Sequence, residues 1–198
     1  GLKNAAIHFL GDTPYPGTPF TDINSHWGRE AVKWAYGEKL FSGVSGTEFG
    51  PEGRMERGML VTVLHRLAGE PAPQSACAFT DVPKGRYYEK AVAWASENGI
   101  VSGEGGGRFG PGGKITREQA AKILYSYAVK YGKDASIRPG ALSGFSDQGK
   151  ISSWAQEAME WAVSHGVLNG SGGKLNPGGT ASRAEVAQIF YNSRALLA

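Results

Sequence analysis

Three arginines recur in register along the chain: Arg57, Arg117 and Arg183, at intervals of 60 and 66 residues. Each follows a proline (Pro51, Pro111, Pro177) and opens an amphipathic run predicted to be helical. A cation in the first helical turn opposes the helix macrodipole by about 0.3–1 kcal/mol. A disadvantage repeated three times asks for a compensating role. A helix N-terminus binds anions through unpaired amides and partial positive charge. A guanidinium adds a planar fork of donors matched to a carboxylate. The arginines are therefore candidates for holding a carboxylate-bearing ligand. The alternative is an ion pair with a protein carboxylate, for which Asp22, Asp81 and Asp147 occur once per unit. The two roles are compatible, with the aspartate holding the fork in place.

Other residues recur beside them. The same aspartates close the triplets "FTD", "FTD" and "FSD", and could either bind a sugar hydroxyl or cap the following turn. Gly43, Gly103 and Gly170 end "FSG", "VSG" and "LNG". They permit a tight loop, and they would let a ligand approach backbone amides closely. Trp27, Tyr87 or Tyr88, and Trp154 stand near helix starts and could edge a groove. Trp34, Trp94 and Trp161 have the helical phase of core residues. The four histidines share no register and no ligand spacing.

Little else offers chemistry. Cys77 is the sole cysteine, so neither an internal disulfide nor a cysteine metal site is available. We expect no metal and no cofactor. No nucleophile-elbow, zinc-protease, phosphate-loop or dinucleotide motif is present, and "GEGGGRFG" lacks the strand that a phosphate cradle follows. The in-register carboxylates number one per unit, which fits architecture better than a single asymmetric active site. The chain reads as a non-enzyme. Net charge is +3 with scattered basic residues, which gives no nucleic-acid footprint. No apolar run approaches a membrane span, so no membrane insertion is expected. A content of 40% hydrophobic residues with five tryptophans argues for a packed core.

The elements that position these residues are one unit used three times. First helices are expected over about 27–40, 87–98 and 154–165, with apolar stripes Trp27-Ala31-Trp34-Ala35, Tyr87-Ala91-Trp94-Ala95 and Trp154-Ala158-Trp161-Ala162. Ser25 or His26, and Ser152 or Ser153, are possible N-caps. Gly99 and Gly166 fit left-handed C-caps, while the first unit has Leu40 there. Second helices start near the arginines. Ser182–Glu185 and Thr116–Gln119 form capping boxes, whereas Glu56-Arg57-Gly58-Met59 breaks the box and Gly58 loosens the turn. Two short helices bury little alone, so the units are expected to pack together about a pseudo-threefold axis as one compact all-α domain. The expected limits are 1–19 for an N-terminal helix and tie, then repeats over 20–69, 79–131 and 145–197.

The order Phe-x-Asp, aromatic-x3-Ala, hydrophobic-x-Gly, Phe-x-Pro and Ile-Thr-Arg-Ala-Glu resembles the surface-layer homology (SLH) family, over about residues 20–197. The resemblance implies a three-pronged spindle with a central helix bundle and grooves between prongs. It implies a secreted, cell-surface location in the wall of a Gram-positive-type bacterium. It also implies non-covalent anchoring through a secondary cell-wall polysaccharide bearing ketal-linked pyruvate, such as pyruvylated N-acetylmannosamine. The resemblance further implies a cargo domain of the parent protein, expected outside this chain. A self-assembly module taking neighbouring protein chains is the alternative. Only the arginine of the Thr-Arg-Ala-Glu signature survives in all three units, so unequal grooves are expected, with Arg57 contributing least.

Overall fold

The computed structural model describes residues 13–198, so the helix expected at the start of the chain falls largely outside the described residues. Residues 13–19 form a turn in which the Tyr15 amide donates to Phe20 O at 2.8 Å. Six α-helices follow: α1 Arg29–Gly37, α2 Arg57–Leu67, α3 Glu89–Glu97, α4 Arg117–Lys130, α5 Gln156–Ser164 and α6 Arg183–Leu197. Two single 3₁₀ turns, Gln148–Lys150 and Ser153–Ala155, precede α5. Extended pairing among the described residues is confined to isolated bridges. The all-α expectation holds.

The helices form because their apolar positions share a face. Ala31, Val32 and Ala35 are buried in α1, Ala91, Trp94 and Ala95 in α3, and Ala158, Trp161 and Ala162 in α5. The alanines at these positions let α2 pack on α3, and α4 on α5. Trp34 of α1 meets Tyr191 of α6 with ring centroids 5.7 Å apart. The expected stripes run one turn too far, however. Trp27, Tyr87 and Trp154 precede the helices and stand in solvent, at 61%, 56% and 50% exposure.

Helix ends correct three further expectations. Ser25 does not cap α1; its N-cap is Gly28, whose amide donates to His26 Nδ1 at 3.0 Å. Ser152 directs its hydroxyl to Glu118 instead of a helix amide. The left-handed residue after α1 is Lys39 at φ +60, where α3 and α5 have Gly99 and Gly166, so the sequence register was one residue off at Leu40. All three ends close alike: Leu40, Ile100 and Val167 amides donate to Ala35, Ala95 and Ala162 carbonyls at 2.9, 2.8 and 2.8 Å.

The capping boxes form as expected. Thr116 Oγ1 accepts from the Gln119 amide at 3.2 Å, and Gln119 accepts from the Thr116 amide at 3.0 Å. Ser182 and Glu185 do the same at 3.2 and 2.6 Å. Glu56, at the start of α2, caps nothing and instead pairs with Lys114 at 2.8 Å. Gly58 is no defect: a Cβ there would meet the Tyr88 ring at 3.1 Å and Pro111 O at 3.3 Å. Its absence lets the ring lie against the helix.

The chain divides into two compact units. One holds residues 13–53 with 182–191, the other 54–181 with 192–198. The borders cut across the repeats, and α6 contributes to both. Within the second unit, the segments just before the repeated arginines close a ring. The Met55 amide donates to Ala181 O at 3.0 Å, Ala181 to Ile115 O at 2.9 Å, and Ile115 to Met55 O at 2.9 Å. Each segment gives one bond and accepts one.

Candidate functional site

The arginines are placed by the turn of the following repeat. Arg57 Nε donates to Phe109 O at 3.1 Å and Nη2 to Ser102 O at 3.2 Å. Arg183 Nε donates to Phe49 O at 2.9 Å and Nη2 to Ser42 O at 2.7 Å. Arg117 Nε donates to Leu175 O at 2.8 Å. Arg57 and Arg183 also lie over the Phe109 and Phe49 rings, 4.7 and 4.6 Å from their centroids. The first repeat thus holds the second, the second the third, and the third the first. Burial pushes the Arg57 and Arg183 guanidinium groups below their ordinary pKa, opposed by Glu104 and Asp81 at Arg57 and by Asp22 at Arg183. Arginine remains charged through such shifts. At Arg57 and Arg183 the Nη1 edge has no protein acceptor among the described residues, and neither side chain leaves a buried polar atom unpaired.

The helix amides beneath them are not open to a ligand, contrary to the sequence expectation. Arg57 and Gly58 amides donate to Gly113 and Pro111 carbonyls, Arg117 and Glu118 to Gly179 and Pro177, and Arg183 and Ala184 to Gly53 and Pro51. The proline turn of the next repeat takes the donors that an anion would need. That explains why a cation can sit in this first turn: the dipole is already met by backbone carbonyls.

The aspartates cap turns and make no hydrogen-bonded ion pair with these arginines. Asp22 accepts from the Phe49 and Gly50 amides at 2.9 and 2.8 Å, and Asp81 from Phe109 and Gly110 at 2.8 Å each. Asp147 accepts from Leu175 and Asn176 at 2.9 and 2.8 Å. Both oxygens are used in every case. The turns need help because their second residue is left-handed, at φ +70 for Gly50, +71 for Gly110 and +50 for Asn176. Gly43, Gly103 and Gly170 are required sterically. A Cβ on Gly103 would meet Arg108 O at 2.6 Å and Phe79 at 2.8 Å, and one on Gly170 would meet Lys174 O at 2.6 Å and Phe145 at 2.7 Å. A Cβ on Gly43 would meet the Phe20 ring at 2.6 Å.

A groove of about 540 Å³ brings part of the predicted set together. Arg57 comes from the first repeat, the stretch Gly99–Glu104 with Gln119 and Lys122 from the second, and Trp154 from the third. Arg57, Gly103 and Trp154 therefore share one concave surface. It holds two cations, one carboxylate and a half-exposed indole. Such a surface can pair an anionic substituent with a guanidinium or ammonium while a sugar ring lies on the indole face.

Sequence reasoning missed two polar arrangements. His26, which shares no register with the other histidines, accepts the Gly28 amide through Nδ1 and so carries its proton on Nε2, 2.9 Å from Glu52. Glu118, a departure from the resembled signature, is buried and accepts the Ser152 amide and hydroxyl at 2.9 and 2.8 Å. Its position directly after a repeated arginine was the available signal.

The family model of the S-layer homology domain matches residues 19–58, 78–121 and 144–187. Among curated proteins, the chain is 32% identical over 170 residues to the Surface-layer 125 kDa protein of Lysinibacillus sphaericus, covering 84% of this chain and 14% of that protein. It is 30% identical over 176 residues to the Amylopullulanase of Thermoanaerobacterium thermosulfurigenes, covering 87% and 9%. It is also 30% identical to the Exoglucanase XynX of Acetivibrio thermocellus, covering 87% and 16%. The chain spans less than a fifth of the length of these three relatives.

Proposed function

From a chain that belongs to the S-layer homology domain family, a module that anchors secreted surface proteins to the bacterial cell wall, we propose a specific way of holding the wall. The ligand is a secondary cell-wall polysaccharide carrying ketal-linked pyruvate. It binds in grooves to which Arg57, Arg117 and Arg183 each contribute a cation. The anchoring module carries no catalysis of its own. The parent protein's cargo, whether a lattice protein or a wall-associated enzyme, lies outside this chain. Within the second unit, the three-bond ring of Met55, Ile115 and Ala181 joins one segment of each repeat in the same sense, which supports equivalent roles for the three arginines.

The observation that carries the reading is the composition of the Arg57 groove. A pyruvyl ketal keeps a free carboxylate. Arg57 has two donor positions fixed on carbonyls and a third edge left over, so the fork is preorganised and still able to bind. Lys122 supplies a second cation and Trp154 an apolar face. Gly103, the aspartates, Trp27 and Tyr87 act differently in this proposal. Gly103 and Asp81 shape the loop that receives the arginine, Gly43 with Asp22 and Gly170 with Asp147 shape the equivalent loops, and Trp27 and Tyr87 are exposed counterparts of Trp154.

The test is sedimentation with isolated cell walls, before and after chemical removal of the secondary polysaccharide. The proposal expects the protein to leave the pellet when the polysaccharide is removed. Retention on stripped walls, or sedimentation of the protein without walls, favours assembly through protein contacts instead.

A further inference from the structure

The position after the loop glycine differs in charge between repeats: Val44, Glu104 and Ser171. Its placement in the first two is alike. Val44 lies over Gly50, where a Cβ would come within 3.0 Å of it, and the Glu104 carboxylate lies over Gly110 in the same way. Glu104 Oε1 stands 3.6 Å from Arg57 Nε. The arginine side chain is 9% exposed and the glutamate side chain 52%, so the pair opens to solvent through the glutamate. Glu104 lines the same groove as Arg57 and Lys122. Arg57 does not need it for placement, since Phe109 O, Ser102 O and the Phe109 ring already hold the guanidinium.

We propose that Glu104 is the specificity-determining residue of the Arg57 groove: a resident carboxylate that stands against the guanidinium and competes with an anionic substituent of the ligand. It makes this groove poorer for an acidic sugar than its arginine alone would be. In the other two repeats the same register holds a neutral side chain. The competition is Coulombic, between two carboxylates near one guanidinium. Its strength is limited because Glu104 is half exposed and screened. Lys122 offsets part of the repulsion without reaching the fork's geometry, since an ammonium is a point charge. The inference rests on the carboxylate reading of the groove and refines it: each repeat sets its own tolerance of ligand charge through one loop position.

The experiment is calorimetric titration of wild type, Glu104→Gln and Glu104→Ser with a pyruvylated N-acetylmannosamine fragment and with its unpyruvylated twin. Glu104→Ser installs the residue of the third repeat and serves as a second variant should Glu104→Gln alter folding, which a melting curve checks. Both variants are expected to bind the pyruvylated fragment about two- to fivefold more tightly than wild type, the range of a partly exposed charge pair. The gain should shrink at high salt, and the twin should bind all three proteins equally. A wild type that prefers the pyruvylated fragment while both variants match it overturns the role of Glu104 and leaves the functional reading standing. A wild type that binds both sugars equally overturns the functional reading at this groove. In that case, a preference that emerges only in the variants upholds Glu104 as the competitor, and no preference in any protein overturns both.

Discussion

At the scale of single residues, the repeated arginine is a staple as well as a candidate ligand contact. Arg183 joins the Ser42 and Phe49 carbonyls across 141 and 134 residues of chain. Arg183→Ala should therefore lower stability by about 1.5–3 kcal/mol, the range for charged hydrogen bonds. Arg183→Lys should recover part of that loss, because one ammonium cannot span both carbonyls in the fork's geometry. Denaturant unfolding of the two variants checks this, and unchanged midpoints would make the arginine a ligand residue alone. The Asp147 clamp has a pH signature. The Leu175 amide holds the Asp147 carboxyl below the ordinary range, desolvation opposes this, and the Asn176 amide adds to it. A carboxyl lowered in the folded state stabilises above its unfolded value, near 3.9, and loses that contribution as pH falls through the folded value. Wild type should thus lose melting temperature below about pH 4, and Asp147→Asn should show a smaller acid-induced drop, read by melting curves at neutral and low pH.

At the scale of elements, most of the plan was legible. Capping boxes are local, three residues long and chemically explicit, so Thr116–Gln119 and Ser182–Glu185 could be read directly. The helix starts could not be read as well. Trp27, Tyr87 and Trp154 keep the helical phase of the residues behind them, yet the backbone enters the helix only at Arg29, Glu89 and the residues after Ser153–Ala155. Periodicity reports phase and says nothing of where the first turn closes. The open helix amides were also misread, because what satisfies them, the Pro51, Pro111 and Pro177 turns, is remote in sequence. Gly58 shows the same limit: its reason is Tyr88, thirty residues away. Lys39 is the element where local rules remain unmet. It holds a left-handed conformation at φ +60 that glycine fills in the other two repeats. Lys39→Gly should raise stability by about 0.5–1 kcal/mol, less than the full left-handed penalty because glycine has more unfolded-state entropy to lose. A midpoint that fails to rise would show that Lys39 gains compensating contacts.

At the scale of the whole molecule, the third repeat completes structures begun by the other two. Ala181 donates one bond of the ring with Met55 and Ile115 and accepts another, so its loss breaks two of the three. Residues 182–191 belong to one compact unit and 192–198 to the other. Deleting residues 145–198 should therefore leave both units incomplete, with no sharp thermal transition and reduced helicity per residue. A truncated protein that melts cooperatively with full helicity would contradict this and give the first two repeats independent stability.

On the proposed reading, the module recognises its wall polymer through a carboxylate. Calorimetric titration of the wild-type chain with the pyruvylated N-acetylmannosamine fragment and its unpyruvylated twin tests it most directly. Loss of a charge-assisted hydrogen bond predicts about tenfold or greater weakening for the twin, with the difference narrowing as salt rises. Equal affinity for the two sugars would contradict the claim.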